Sequence, residues 1–134
     1  MDDVLIARLR LALRQFVKDC GTRRAIPTTL RIGRPGGPHL ALPDDPSYDS
    51  GLRADVLERA LDGLDLDTAV PWLTRSGDLA PADADFLWMA AATKAFGRHG
   101  IGMPGFIVMT RYGWFNLVDG ETVQWRRVRP SRSA

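Results

Sequence analysis

The chain has 134 residues, of which 45% are hydrophobic and 25% charged, and a formal net charge of +2. This length allows one compact domain with a real core and is too short for two, and the composition excludes a disordered or fibrous chain. The small net charge argues against a dedicated DNA-binding domain, and the single cysteine excludes an intrachain disulfide and a cysteine-based zinc site.

The N-terminal region lacks the basic-then-apolar order of a signal peptide, and no apolar run approaches the roughly 18 residues of a membrane span. We therefore expect a soluble cytoplasmic protein with no membrane partner. The positive charge is nearly all arginine, because Lys18 and Lys94 are the only lysines. A GC-rich coding genome explains this bias most simply, so an arginine is not by itself a sign of a phosphate contact.

The first predicted element is an amphipathic helix near the N-terminus. Asp2 and Asp3 can cap or charge-complement its start, and Gly21 is a natural stop. Its apolar residues recur at spacings of three and four: Leu5, Leu9, Leu13, Phe16 and Val17. This face either packs on the rest of the domain or contacts a second copy or another partner.

In residues 28–42 the helical pattern gives way to two short β-forming runs separated by Pro35-Gly36-Gly37-Pro38. This proline- and glycine-rich cluster predicts a turn, and the two runs predict a hairpin around it. After a polar loop, Asp49 or Ser50 can cap a second helix that runs to about Leu61 and ends at Gly63. Its predicted inward-facing residues are Leu52, Val56, Leu57 and Leu61.

The next segment contains Pro71, which excludes the middle of a regular helix. A short helix, an irregular crossing and an edge segment all remain open for it. Trp72 and Leu73 are expected to anchor it in the core.

A third helix is predicted over residues 82–98. Pro81 suits a first turn, and Asp83 and Asp85 lie near the positive end of the helix dipole. The run FLWMAAATKAF carries one charge, Lys94, in eleven residues. A helix that is apolar on nearly every side is typical of a buried central position.

Residues 109–130 predict a β-hairpin that turns at Asp119-Gly120. A two-residue turn places Trp114 opposite Trp125 and Tyr112 opposite Arg127, on one face of the ribbon. A four-residue loop shifts this pairing but keeps both tryptophans on one face, whereas a three-residue loop with a bulge separates them.

These elements predict an α+β fold in a single domain, residues 1–134, with a frayed tail at 130–134. The expected sheet is antiparallel, has four or five strands, packs against two or three helices and includes the C-terminal hairpin.

The hairpin is the first candidate binding surface. Its aromatic residues can stack on bases and its arginines can contact phosphates. The candidate residues are Tyr112, Trp114, Trp125, Arg126, Arg127 and Arg129. The alternative is that the two tryptophans cover the central helix as part of the core.

The second candidate is a small-molecule or anion pocket in which Arg98 and His99, at the end of the third helix, meet Arg111. Motifs for a P-loop, a nucleophile elbow or a zinc-binding helix are absent from the sequence. His39 beside Asp44 or Asp45 does not make a metal or acid–base site, and we expect no cofactor.

The function that the sequence favours is non-catalytic binding of an anionic partner, nucleic acid or an acidic protein, through the hairpin. One alternative is a protein–protein interaction or homodimerisation module. A second alternative is a small enzyme with a site near His99.

Overall fold

The structure, a computed structural model, describes residues 2–124. This part of the chain contains three helices, α1 (Asp3–Cys20), α2 (Ser50–Asp62) and α3 (Asp83–Arg98). It also contains six strands: β1 (Thr29–Gly33), β2 (His39–Pro43), β3 (Val70–Thr74), β4 (Ile107–Thr110), β5 (Gly113–Asn116) and β6 (Thr122–Gln124). The strands form one sheet in the order β2-β1-β3-β4-β5-β6. The α+β prediction is confirmed, with more strands than the four or five expected.

The sheet is mixed, because β3 and β4 run parallel while the other neighbours are antiparallel. The 16 residues of α3 connect these two strands. At about 1.5 Å per residue the helix carries the chain back along the sheet, so β4 starts at the same end as β3. The expectation of a wholly antiparallel sheet is wrong at this connection.

Helices cover both faces of the sheet, α1 on one and the α2–α3 pair on the other. Side chains alternate along a strand, so neighbouring residues enter different layers. In β3, Trp72 packs in the α1 layer and Leu73 in the α2–α3 layer; in β5, Trp114 and Phe115 divide in the same way. The alternative in which the hairpin tryptophans cover the helix at 82–98 is therefore wrong for Trp114.

The predictions for α1 are confirmed. Asp2 Oδ1 accepts a hydrogen bond from the Leu5 amide at 2.7 Å, and the helix ends at Gly21, whose φ of 55° suits glycine. The predicted apolar face packs on the protein's own sheet. None of the helices among residues 2–124 combines the length and the apolarity needed to cross a membrane.

The predicted bounds of α2 are also confirmed, with Asp49 accepting from the Leu52 amide at 2.8 Å and Gly63 at the C-terminal end. Its inward face is partly wrong, because Leu52 is exposed and Arg53 is buried. The Arg53 guanidinium turns inward to an ion pair with Asp44, 3.3 Å away, and lies over the ring of Trp88.

Two further expectations are corrected by the sheet and α3. Pro71 lies in β3, which is a regular interior strand, so the short helix, the irregular crossing and the edge segment are all wrong. The parallel pairing of β3 with β4 starts at Trp72, one residue after Pro71. The proline, which has no amide hydrogen to donate, therefore precedes the residues that pair with β4. Helix α3 is buried on one side only and exposes Phe86 and Leu87, so the prediction of a helix buried on nearly every side is wrong. The sequence misled because an alanine-rich helix does not show which side faces water.

The C-terminal region contains two hairpins where one was expected. Arg111 and Tyr112 form a tight turn between β4 and β5. The Asn116 amide donates to the Glu121 carbonyl oxygen, which leaves residues 117–120 as a four-residue loop between β5 and β6. Trp114 therefore pairs with Val123 and not with the predicted Trp125. The four-residue loop is one of the alternatives that the sequence left open.

Candidate functional site

The predicted hairpin surface is only partly present among the described residues. Trp114 is 1% exposed and packs against α1, so it cannot stack on a ligand. Tyr112, at the tight turn, is 52% exposed and accessible. The remaining four predicted residues lie outside the described part of the chain and stay predictions: Trp125, Arg126, Arg127 and Arg129.

Arg98 and His99 are engaged by acidic residues of α2. Arg98 Nη1 lies 3.1 Å from Asp55 and 2.7 Å from Glu58. His99 Nε2 lies 2.8 Å from Asp62, and Nδ1 faces the Ala95 carbonyl oxygen. The bond to Asp62, and then the one to the carbonyl, raise the pKa of His99 and favour its charged form. This cluster fastens the end of α3 to α2.

Arg111 does not join that cluster. Its guanidinium donates to the carbonyl oxygen of Arg23, in the connection that follows α1. Together with Arg24 and Tyr112 it lines a cleft of about 380 Å³ beside Cys20. Arg98, His99 and Arg111 therefore do not converge as predicted.

A different site is present between α1 and the β1–β2 hairpin. The core contacts of α1 reach β3, β4 and β5, while β1 and β2 extend the sheet beyond it. A groove of about 280 Å³ remains there, which we name the α1–β2 groove. It is defined by Gln15, Phe16 and Asp19 of α1 and by Arg31, His39, Trp72 and Thr74 of the sheet.

The turn between β1 and β2 borders this groove and lies unusually close to α1. Gly36 has a φ of +74°, and a Cβ built on it would be 2.8 Å from Leu11 Cβ and 3.3 Å from the Arg8 carbonyl oxygen. Only glycine satisfies both the backbone conformation and this close approach. The sequence predicted the turn at 35–38 but not its contact with the first helix.

Arg31 is held in the groove by uncharged groups. Its Nε donates to Thr74 Oγ1 at 3.1 Å, and its Nη1 lies 3.1 Å from His39 Nε2. His39 Nδ1 is 2.8 Å from the Gly37 carbonyl oxygen, which can only accept. Nδ1 therefore carries the proton, and Nε2 of the neutral imidazole accepts from Arg31.

The charge of Arg31 has no counter-charge in contact with it. Within residues 2–124 no carboxylate lies within 4.0 Å of its guanidinium, and its Nη2 makes no hydrogen bond. Arg31 is half-buried, and burial lowers the pKa of its guanidinium, an effect that the charge of Asp19 opposes. The groove therefore presents a partly desolvated cation with free donors.

The aromatic rings of the groove and the hydrogen-bonded pair of Gln15 and Asp19 form the rest of its lining. Phe16 and Trp72 contribute rings, and the His39 ring lies 4.8 Å from that of Trp72 at an interplanar angle of 58°. Gln15 Nε2 donates to Asp19 Oδ1 at 2.9 Å. Convergent polar groups over apolar walls are typical of small-molecule sites. Among the described residues, no group of three histidine, cysteine or acidic side chains is placed to hold a metal ion.

Sequence reasoning missed Arg31 and set His39 aside. The available signal was an arginine inside the short β-forming run TLRIG, but nothing in that run shows which partner the arginine faces. Comparison of the chain with known protein families, with curated proteins and with solved structures finds no match.

Proposed function

We propose that this protein is a non-catalytic binding module that holds a small anionic ligand in the α1–β2 groove. The observation that carries the proposal is the half-buried Arg31, whose contacts are all neutral. Desolvating a cation without a counter-charge is unfavourable, and an anion restores the balance. Hydrogen bonds from a guanidinium to a carboxylate or phosphate are stronger than those to neutral groups.

The size of the groove limits the ligand. A water molecule occupies about 30 Å³ of liquid, so a cavity of about 280 Å³ matches a small molecule or one end of a larger one. Thr74 and His39 fix the guanidinium plane before a ligand arrives. Such preorganisation reduces the entropy lost on binding.

The test is calorimetric titration of the full chain with a panel of small carboxylates and phosphates. Arg31→Met removes the charge, and we expect its dissociation constant to rise by roughly 10- to 150-fold, the equivalent of one or more hydrogen bonds to a charged group. Arg14→Met, at an exposed position of α1, is the matched control and should bind as the wild type does. Equal binding by the Arg31 variant overturns the proposal.

A second candidate keeps the predicted contact with nucleic acid or an acidic protein. Gln124, the last described residue, pairs with Gly113, so the chain continues from a point beside the turn of Arg111 and Tyr112. Arg24 lines the same cleft, and the sequence beyond Gln124 contains four arginines. An anionic chain across this side would meet Arg24, Arg111 and the exposed ring of Tyr112.

This second candidate is tested by titrating mixed single-stranded oligonucleotides at low and moderate salt. Binding that weakens with salt and is reduced in Arg111→Met, while Arg31→Met binds normally, supports it. Absence of binding at low salt eliminates the nucleic-acid partner.

A further inference from the structure

The α1–β2 groove contains two opposite charges that do not pair. Asp19 Oδ1 accepts a hydrogen bond from Gln15, but no basic side chain of residues 2–124 lies within 4.0 Å of this carboxylate. Arg31, which lines the same groove, is likewise without an acidic contact. The two groups are near enough for the charge of Asp19 to act on the guanidinium, yet they leave a gap between them.

Both charges are held apart by their own elements. Thr74 and His39 fix the guanidinium of Arg31 on the sheet. Asp19 belongs to the last turn of α1, where Gln15, one turn earlier, donates to its side chain.

The place of Asp19 is itself unfavourable for an acid. The last turn of a helix is the negative end of its dipole, so a carboxylate there is destabilising and a cation is stabilising. The backbone carbonyl groups of Lys18, Asp19 and Cys20 already accept hydrogen bonds from Gly21 and Arg23, so a positively charged ligand group beside Asp19 would be attracted by its carboxylate. The groove therefore presents a carboxylate from α1 and a guanidinium from β1, neither of which has an oppositely charged contact among the described residues.

Building on the function proposed above, we propose that the ligand is a small zwitterion of the amino-acid type. Its acidic group binds Arg31, its ammonium group binds Asp19, and its carbon skeleton lies between the α1 wall and the sheet. Fixing two opposite charges at once also gives selectivity, because a ligand lacking either group leaves one protein charge uncompensated.

The experiment compares three matched probes. Amino acids are screened by calorimetry against the full chain, and the strongest binder is compared with its deaminated acid and its decarboxylated amine. We expect the amino acid to bind at least about tenfold more tightly than either counterpart, as the loss of one charge-assisted contact predicts.

Asp19→Asn tests the assignment of the ammonium. This variant should bind the amino acid and the deaminated acid with similar affinity, while Asp67→Asn, an exposed position before β3, should keep the wild-type preference. The zwitterion is overturned if the deaminated acid binds as tightly as its amino acid and Asp19→Asn does not change that affinity. If Arg31→Met still weakens the binding of the acid, the anion site remains supported. Failure of the amino acids to bind overturns the zwitterion, and failure of the small carboxylates and phosphates as well overturns both proposals.

Discussion

Arg31 in β1 and Arg75 directly after β3 illustrate opposite uses of a basic side chain. Arg75, directly after β3, is 7% exposed and donates from every nitrogen. It binds both carboxylate oxygens of Asp85 at 2.9 Å. Its other bonds reach backbone carbonyl oxygens of the following loop: Ser76, Asp78 and Ala80.

Arg31, on the neighbouring strand β1, has two neutral contacts and a free Nη2. The two arginines differ in the charge of the groups that they contact, and not only in how deeply they are buried. The charge of Arg75 is compensated within the fold, so it stabilises the corner between β3 and α3. The charge of Arg31 is not compensated by an acidic side chain of the described residues, which is why we propose that it binds a ligand.

The largest effect that this comparison predicts is on the free energy of unfolding of Asp85→Asn. Asp85 is fully buried, pairs with Arg75 and also accepts from the Ala82 amide at 2.9 Å. Removing its charge leaves a buried guanidinium without a counter-charge, which costs about 3–5 kcal/mol. Urea unfolding followed by tryptophan fluorescence measures it.

Arg31→Met is the matched comparison for stability. It removes two hydrogen bonds to uncharged groups, each worth about 0.5–1.5 kcal/mol, so we expect a loss of about 1–3 kcal/mol, smaller than that of Asp85→Asn. If this variant is destabilised as strongly as Asp85→Asn, Arg31 is a structural residue and the contrast between the two arginines is wrong.

Much of the fold was predictable because its signals are local. Asp2 and Asp49 cap helices through amides three residues away, and Gly21 and Gly63 end them. The tight turn at Arg111-Tyr112 was missed because neither residue is a typical turn residue. The parallel pairing of β3 and β4 depends on how α3 packs, which a single strand's sequence does not encode.

The site was less predictable because its contacts are distant in sequence. Arg31 meets Thr74, 43 residues later, and Arg75 meets Asp85 across a loop. Before folding, these two arginines look alike: each is a cation in or beside a short apolar run. Only the assembled sheet shows which of them has an acidic partner.

The second prediction concerns the turn that borders the groove. Gly36→Ala should lower the free energy of unfolding by about 1–3 kcal/mol, because its φ of +74° is strained for alanine and the new Cβ would contact Leu11. The turn must also move away from α1, so ligand binding should weaken as well. Chemical unfolding and calorimetry of the same variant measure both effects.

The control for this prediction is Gly97→Ala. Gly97 lies near the end of α3, and a Cβ there meets nothing within 4 Å. Alanine is the better helix former, so this variant should gain up to about 1 kcal/mol. Unchanged stability of Gly36→Ala would show that the turn is not held against α1.

The smallest predicted effect belongs to a third charge, His99, which is paired like Arg75 but lies at the surface beside Asp62. Asp62 raises the pKa of His99 in the folded protein. Between the unfolded value of about 6.5 and the raised folded value, the native state binds more protons than the unfolded state. The stabilisation is therefore complete at lower pH and is lost as the pH rises through the folded pKa.

Thermal unfolding at a series of pH values, from about one unit below the unfolded pKa to about two units above it, measures this loss. His99→Gln should remove the decline in melting temperature across that range, whereas His39→Gln, which changes the only other histidine, should keep it. A decline that persists in His99→Gln would mean that the pair with Asp62 does not stabilise the fold.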